Sequence, residues 1–108
     1  MKVANIKDFV NGWFVGDFEP SIFKTKDFEV SVKSHKKGEE TLPHYHSSSD
    51  EINLIINGRL CVNGQNLKKG NFFIYERNDV SDVEFLTDAL LLIVRIPSAP
   101  NDKVLIDV

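Results

Sequence analysis

The sequence predicts an all-β fold, an antiparallel barrel or sandwich, from the alternation of its side chains and from closely spaced turn signals. Apolar and polar residues alternate in segments 28–33 and 80–85, as in strands with one buried face. Segments 52–56 and 90–96 are almost continuously apolar and rich in branched side chains, which is typical of strands covered on both faces. Turn-forming pairs recur between them, so we expect roughly eight to ten short strands and less than about a tenth of helix.

Two Asn-Gly pairs give the most specific local prediction. Asn57-Gly58 and Asn63-Gly64 lie six residues apart, and both residue types adopt the positive φ that the type I′ turn of a two-residue hairpin requires. They predict a tight meander in which strand 52–56 leads into strand 59–62 and then into the next segment. Before this region, residues 3–10 carry only a short helical turn.

Length and charge limit the class of protein. The 108 residues fit one compact domain. The 13 Lys and Arg residues against 16 Asp and Glu residues give a net charge of −3, and the basic residues are scattered from Lys2 to Lys103. A basic stripe of the kind that binds nucleic acid is absent from this pattern, so we expect no nucleic-acid partner.

Cysteine content and hydrophobicity indicate the compartment. Cys61 is the single cysteine and cannot form an intramolecular disulfide, which fits a reducing cytoplasm. The first eight residues lack the apolar core of a signal peptide. The longest apolar run, residues 89–94, is far shorter than the roughly 20 residues of a membrane span. We therefore expect a cytoplasmic protein without a membrane partner.

Two of the three histidines are candidate functional residues. In His44-Tyr45-His46 the imidazoles are two residues apart, so on a strand they project to one face. Glu51 follows at the start of the next apolar segment. Two histidines and one carboxylate suit Fe, Mn, Ni or Zn and leave positions open for other ligands. This spacing predicts a divalent metal site of His44, His46 and Glu51.

A wider pattern includes these residues, namely Gly-x5-His-x-His-x4-Glu-x6-Gly, which begins at Gly38 and ends at Gly58. It resembles the first signature motif of the cupin superfamily, and the resemblance covers about residues 20–107. The resemblance implies a double-stranded β-helix, also called a jelly-roll β-barrel, as a single domain over residues 1–108. Residues 1–19 would then form an N-terminal extension that packs on the barrel or on a partner subunit.

The second cupin motif is degenerate. It begins at Gly70, but Glu76, Asn78 and Ser81 stand where the family has Pro, Gly and His. A neutral hydroxyl is a weak metal ligand with a short reach, so Ser81 does not replace the imidazole. The resemblance then implies three protein ligands, with Asp82 or water as the alternatives for the fourth. Asp82 is expected to point away from the face of Ser81 unless a bulge reorients it.

Two further polar residues are candidates for the pocket wall. Asn53 shares a strand face with Glu51 and serves either as a hydrogen-bonded core amide or as a substrate-orienting amide. Arg95 interrupts an apolar strand and forms either a salt bridge at the sheet edge or an anchor for a substrate carboxylate. His35 lies on the polar face of its strand, where we expect a solvated or rim histidine and not a ligand.

The leading function is that of a small metal-binding cupin enzyme that acts on a small metabolite by oxygenase, isomerase or lyase chemistry. The alternative is a non-catalytic protein that binds or senses a metabolite or carbohydrate. Fold resemblance alone does not choose between them. Segments 52–56 and 90–96 carry more apolar surface than one barrel interior can bury, so we also expect a homodimer.

Overall fold

The computed structural model describes residues 1–106. Two 3-10 helical turns, Ile6–Asp8 and Val10–Gly12, precede and abut the first strand. Eleven strands follow: β1 (Trp13–Gly16), β2 (Phe23–Lys24), β3 (Glu29–His35), β4 (His44–His46), β5 (Asp50–Asn57), β6 (Arg59–Val62), β7 (Gln65–Lys68), β8 (Phe72–Tyr75), β9 (Val83–Phe85), β10 (Ala89–Ile96) and β11 (Lys103–Leu105).

The strands form three sheets. The main sheet has six strands in the order β2-β1-β3-β10-β5-β8, and its pairs are antiparallel except for the parallel pair β1 and β2. A three-stranded sheet has the order β7-β6-β9, and a two-stranded sheet pairs β11 with β4. Strands adjacent in sequence, such as β5 and β6, belong to different sheets, so the chain passes repeatedly from one sheet to another.

The all-β prediction is confirmed. Within residues 1–106, only the six residues of the two 3-10 turns are helical. Strand β6 has the predicted bounds, residues 59–62. The N-terminal segment is more integrated than the sequence indicates, because β1 pairs with β3 inside the main sheet. The sheet therefore begins within the segment 1–19, while residue 107, the predicted end of the core, lies outside the described residues.

One of the two predicted Asn-Gly hairpins is correct and the other is wrong. Val62 pairs with Gln65 across Asn63-Gly64, and both turn residues have positive φ, of 49° and 80°. By contrast, β6 pairs with β7 and β9 and not with β5. Asn57-Gly58 therefore connects a strand of the main sheet to a strand of the three-stranded sheet. Glycine is needed there for space, since a Cβ on Gly58 would lie 2.5 Å from the carbonyl oxygen of Asp88.

The core lies between the inner face of the main sheet and the three-stranded sheet. Its fully buried members are Ile55 of β5, Leu60 of β6 and Phe85 of β9, with Leu91 and Ile93 of β10. Burying these side chains supplies the main driving force for closure of the barrel. Toward one end of the barrel, the inward-facing residues of the same strands are polar, and these polar residues form the candidate site.

Strand β3 buries the polar face that its sequence pattern predicts to be exposed. Its polar residues Glu29 and Ser31 are buried, whereas Val30 and Val32 are half-buried on the outer face. The buried polar groups are hydrogen-bonded: Ser31 Oγ donates to the carbonyl oxygen of Asn11 at 3.1 Å, and Glu29 accepts from Ser98 Oγ at 3.1 Å. Satisfied hydrogen bonds make this inward polar face tolerable.

The outer face of the main sheet carries a continuous apolar surface. Strand register aligns two rows of four side chains across β3, β10, β5 and β8. The first row is Val32, Leu92, Leu54 and Phe72, and the second is Val30, Val94, Ile52 and Ile74. Phe72 and Ile74 are 63% and 61% exposed. We call these eight residues the outer apolar face. Within residues 1–106, no helix combines the length and hydrophobicity needed to cross a membrane.

Candidate functional site

A small cavity opens at the polar end of the barrel interior. Its volume is about 100 Å³, and seven strands contribute to its wall. Five of the six residues proposed from the sequence line it: His44, Glu51, Asn53, Ser81 and Arg95. His46, the sixth, lies next to His44 and is not part of the wall. Period-two alternation brings these residues together, because each projects from the inward face of its strand.

The two histidines of β4 point to one side, as predicted. Both side chains are buried, and Tyr45 between them faces the other way and is half-buried. The rings of His44 and His46 meet edge to face with their centroids 5.3 Å apart. The chain after β4 turns back at residues 47–49, so Glu51 on β5 faces the same cavity as His44.

Hydrogen bonds assign the same tautomer to both rings. His44 Nδ1 lies 2.8 Å from the carbonyl oxygen of Leu42, which only accepts, so Nδ1 carries the proton. His46 Nδ1 donates to the carboxylate of Asp102 at 2.7 Å. With the proton on Nδ1, Nε2 is the nitrogen of each ring that can act as a metal ligand. His46 Nε2 is buried and has no hydrogen-bond partner within residues 1–106.

Asp102 is the residue that orients His46, and the sequence pattern did not reveal it. It lies 56 positions away, just before β11, and pairing of Lys103 with His46 brings it beside the ring. Its other oxygen accepts from Ser49 Oγ at 2.8 Å and from the Ser48 backbone at 3.2 Å. Burial acts to raise the pKa of Asp102, but the hydrogen bonds from His46, Ser49 and Ser48 outweigh it and lower the pKa.

Glu51 is held in an ion-pair network. Arg95 Nε lies 3.1 Å from Glu51 Oε1, and one terminal nitrogen of Arg95 lies 3.4 Å from Glu29 Oε1. The guanidinium also stacks over the ring of Trp13, 4.6 Å from its centroid. The expected salt bridge of Arg95 is present, but it lies on β10 inside the main sheet and not at the sheet edge. Arg95 also lines the cavity. Its charge is nevertheless engaged by two carboxylates.

Ser81 lies directly beside His44. The two backbones form an antiparallel bridge, with Ser81 N 2.7 Å from His44 O. Ser81 is buried at the cavity wall. Asp82 is exposed on the opposite face, as expected in the absence of a bulge. It does not line the cavity, so it does not stand in for the missing imidazole.

Asn53 is a buried, hydrogen-bonded amide that also faces the cavity. It is 3% exposed and lines the cavity. Its Nδ2 also approaches the carbonyl oxygen of Phe73 at 3.5 Å, a long hydrogen bond. The amide is thus positioned by the backbone of β8 while it faces the cavity.

Three basic residues of the cavity wall were absent from the set proposed from the sequence: Lys33 and His35 on β3 and Lys103 on β11. Of the two alternatives for His35, a solvated or a rim histidine, the solvated one is wrong, since its side chain is 9% exposed and its ring centroid lies 3.9 Å from that of Phe85. The polar alternation of β3 is the signal that could have revealed Lys33 and His35. It indicates the cavity only when the polar face is recognised as the inner one.

The three proposed metal ligands are close together but are not arranged around one point. Within residues 1–106, no group of three or more His, Cys, Asp or Glu side chains is arranged to hold a metal ion. One carboxylate oxygen of Glu51 accepts a hydrogen bond from Arg95 Nε. The histidine pair has the tautomer and the free Nε2 atoms that ligation requires. The three-ligand set remains a prediction.

Stability should depend on pH through His35. Burial lowers the pKa of His35, and the hydrogen bond to Glu39 opposes this only in part. The unfolded chain, with an ordinary histidine pKa of about 6.5, therefore binds more protons than the folded protein below that pH. We expect the metal-free protein to lose stability as the pH falls from about 7.5 to 5.5. Thermal melts of the wild type and of His35→Gln check this, and equal pH slopes in the two proteins would contradict it.

Comparisons with known proteins identify the fold. No family model matches the chain, and no curated protein matches it. Solved structures do match. An uncharacterised double-stranded β-helix protein from Klebsiella pneumoniae aligns over 96% of this chain and 90% of its own, with a TM-score of 0.70 and 20% identity.

Two other structures extend the comparison. A cupin-2 domain-containing protein from Shewanella frigidimarina aligns over 69% of this chain and 76% of its own, with a TM-score of 0.56 and 16% identity. The DMSP lyase DddQ from Ruegeria pomeroyi aligns over 86% of this chain at a TM-score of 0.72 and 16% identity, and this chain spans 49% of that enzyme. The chain therefore has the double-stranded β-helix fold of the cupins.

Proposed function

We propose that this protein is a divalent-metal-dependent enzyme that acts on a small metabolite in the barrel cavity. His44, His46 and Glu51 are the proposed ligands, and the ion is Fe, Mn, Ni or Zn. The observation that carries this proposal is the buried Nε2 of His46, which has no hydrogen-bond partner within residues 1–106. A similar fold in a DMSP lyase is compatible with catalysis but assigns no reaction to this chain.

The orphaned nitrogen supports ligation on energetic grounds. A buried polar atom without a partner costs about 1 to 3 kcal/mol, so folded proteins rarely keep one without a use. Asp102 fixes the proton on the other ring nitrogen, which leaves the Nε2 lone pair free. Carboxylate-oriented histidines of this kind are common around metal ions, because the carboxylate sets the tautomer and raises the basicity of the ring.

Glu51 would complete the set, since it faces the same cavity as His44. Arg95 engages Oε1 and leaves Oε2 for another partner. A bound ion would supply Lewis acidity or redox chemistry, depending on its identity. Asn53 would orient a substrate from the wall, and the buried apolar residues around it limit access of bulk water. Ser81 occupies the fourth position without acting as a strong ligand.

The second candidate is a non-catalytic metabolite- or carbohydrate-binding protein. Ser81 favours it, because a serine beside His44 provides one imidazole fewer for holding an ion. Such a protein would bind its ligand equally well with and without metal, whereas the proposed enzyme would not.

Metal content and metal-dependent turnover test the proposal. Protein purified without an affinity tag or added metal should contain about one divalent ion per chain by elemental analysis. A panel of small metabolites is then compared in thermal melts of holo and demetallated protein, because a ligand that binds the native state raises the melting temperature. Hits should be turned over by the holo protein. Stabilisation that survives demetallation without any metal-dependent turnover would favour the binding protein instead.

We further propose that two chains associate through the outer apolar face. Its eight side chains lie in register over four strands and form an apolar surface broader than single exposed residues provide. A second copy is the natural occupant, since a two-fold axis can place the same rows of both chains against each other.

A further inference from the structure

Two lysines line the cavity, and in the described part of the chain neither is among the proposed metal ligands or in an ion pair with them. Three cationic side chains line it: Lys33, Arg95 and Lys103. Arg95 is engaged by Glu51 and Glu29. Within residues 1–106, neither Lys33 nor Lys103 forms an ion pair with a carboxylate. The cavity thus holds two ammonium groups that are free to meet a ligand.

Lys33 is placed where its charge is costly. It projects inward from the middle of β3, opposite Leu91 of β10, and is only partly exposed. Burial lowers its pKa, and the nearby positive charges of Arg95 and Lys103 lower it further, whereas the carboxylates of Glu39 and Glu51 oppose this only in part. A half-buried cation beside two like charges is stabilised when an anion enters between them.

Lys103 reaches the same cavity from the other side. Its backbone pairs with His46 in the β4–β11 sheet, so it stands next to the proposed ligands. Lys33 and Lys103 thus approach the cavity from two different sheets. An ammonium group provides three rotatable donors and suits an anionic group without requiring bidentate geometry.

We propose that Lys33 and Lys103 form an anion subsite that binds the carboxylate of a small organic acid beside His44. The subsite rests on the proposed function in taking the cavity as the substrate site. The volume of about 100 Å³ restricts the ligand to a small acid, since pockets for drug-sized ligands have roughly 300 to 1,000 Å³. Arg95, which is engaged by Glu51 and Glu29, is not the carboxylate anchor.

Malonate and its neutral isostere malonamide test the subsite in demetallated protein, because lysines hold an anion without a metal. Malonate should raise the melting temperature and bind measurably by calorimetry, and malonamide should not. In Lys33→Met and in Lys103→Met, malonate affinity should fall about tenfold or more, the loss of one charged hydrogen bond of at least about 1.4 kcal/mol. Lys69→Met, at an exposed turn away from the cavity, is the matched control.

Folding of the variants is checked separately. Lys33→Met keeps the aliphatic stem and removes a partly desolvated charge, so without ligand it should melt at or above the wild-type temperature. Equal binding of malonate and malonamide, unchanged malonate affinity in both lysine variants, or no malonate binding would each overturn the subsite. Binding of inorganic phosphate in place of malonate would overturn its assignment to carboxylates. Because metal is absent throughout, a failure here is distinct from a failure of metal binding by the histidines.

Discussion

Replacing His44 and His46 together by alanine should abolish stoichiometric metal binding. Both Nε2 atoms carry free lone pairs, and two of the three proposed ligands would be lost. Elemental analysis after purification from the same medium gives the readout. His35→Gln is the matched control, since it changes a third histidine of the cavity wall that is not among the proposed ligands. Metal content equal to wild type in the double variant would show that the site is elsewhere.

Graded variants separate the roles within this site. Glu51→Gln should weaken metal binding without abolishing it, and Ser81→Ala should change it little. Ser81→His should tighten it, because its position beside His44 suits a further imidazole. Asp102→Asn should reduce metal affinity by about 10- to 100-fold, as is typical for loss of a carboxylate that orients a ligating histidine. Circular dichroism of each variant confirms that the fold is retained.

Ile74→Asp should convert a dimer into a monomer. Ile74 lies at the end of one row of the outer apolar face and is 61% exposed in the single chain, so the change should hardly disturb the monomer fold. In an interface the aspartate would be desolvated without a partner, which costs several kcal/mol. Light scattering should give twice the chain mass of 12.3 kDa for the wild type and the single mass for the variant.

The control for this experiment is Val104→Asp. Val104 is also an exposed apolar residue on a strand, but it belongs to β11 in the two-stranded sheet. This variant should remain dimeric. A wild-type protein of single-chain mass at micromolar concentration would count against the interface, and so would an Ile74→Asp variant that remains a dimer.

Local chemistry made much of the fold predictable. Alternation identified β3 and β9, and near-continuous apolar runs identified β5 and β10. Asn63-Gly64 formed the expected hairpin because both residues adopt positive φ. The histidine spacing placed His44 and His46 on one face, since a strand has a period of two. Asn57-Gly58 was misread, because a dipeptide does not reveal whether the next strand pairs with its predecessor or joins another sheet.

The sequence by itself determined the all-β class and the one-sided histidine pair, because each depends on neighbouring residues or on a fixed spacing. Its resemblance to the cupin motifs implied a place for Ser81 at the site, and the tertiary structure brings Ser81 beside His44. The tertiary structure decided which face of β3 is buried, that Asp102 orients His46 from 56 positions away, and that Arg95 is engaged by Glu51 and Glu29. It also brought Lys33 and Lys103 to one cavity from two sheets. These features depend on contacts between strands distant in sequence, and side-chain alternation along one strand carries no information about its partners.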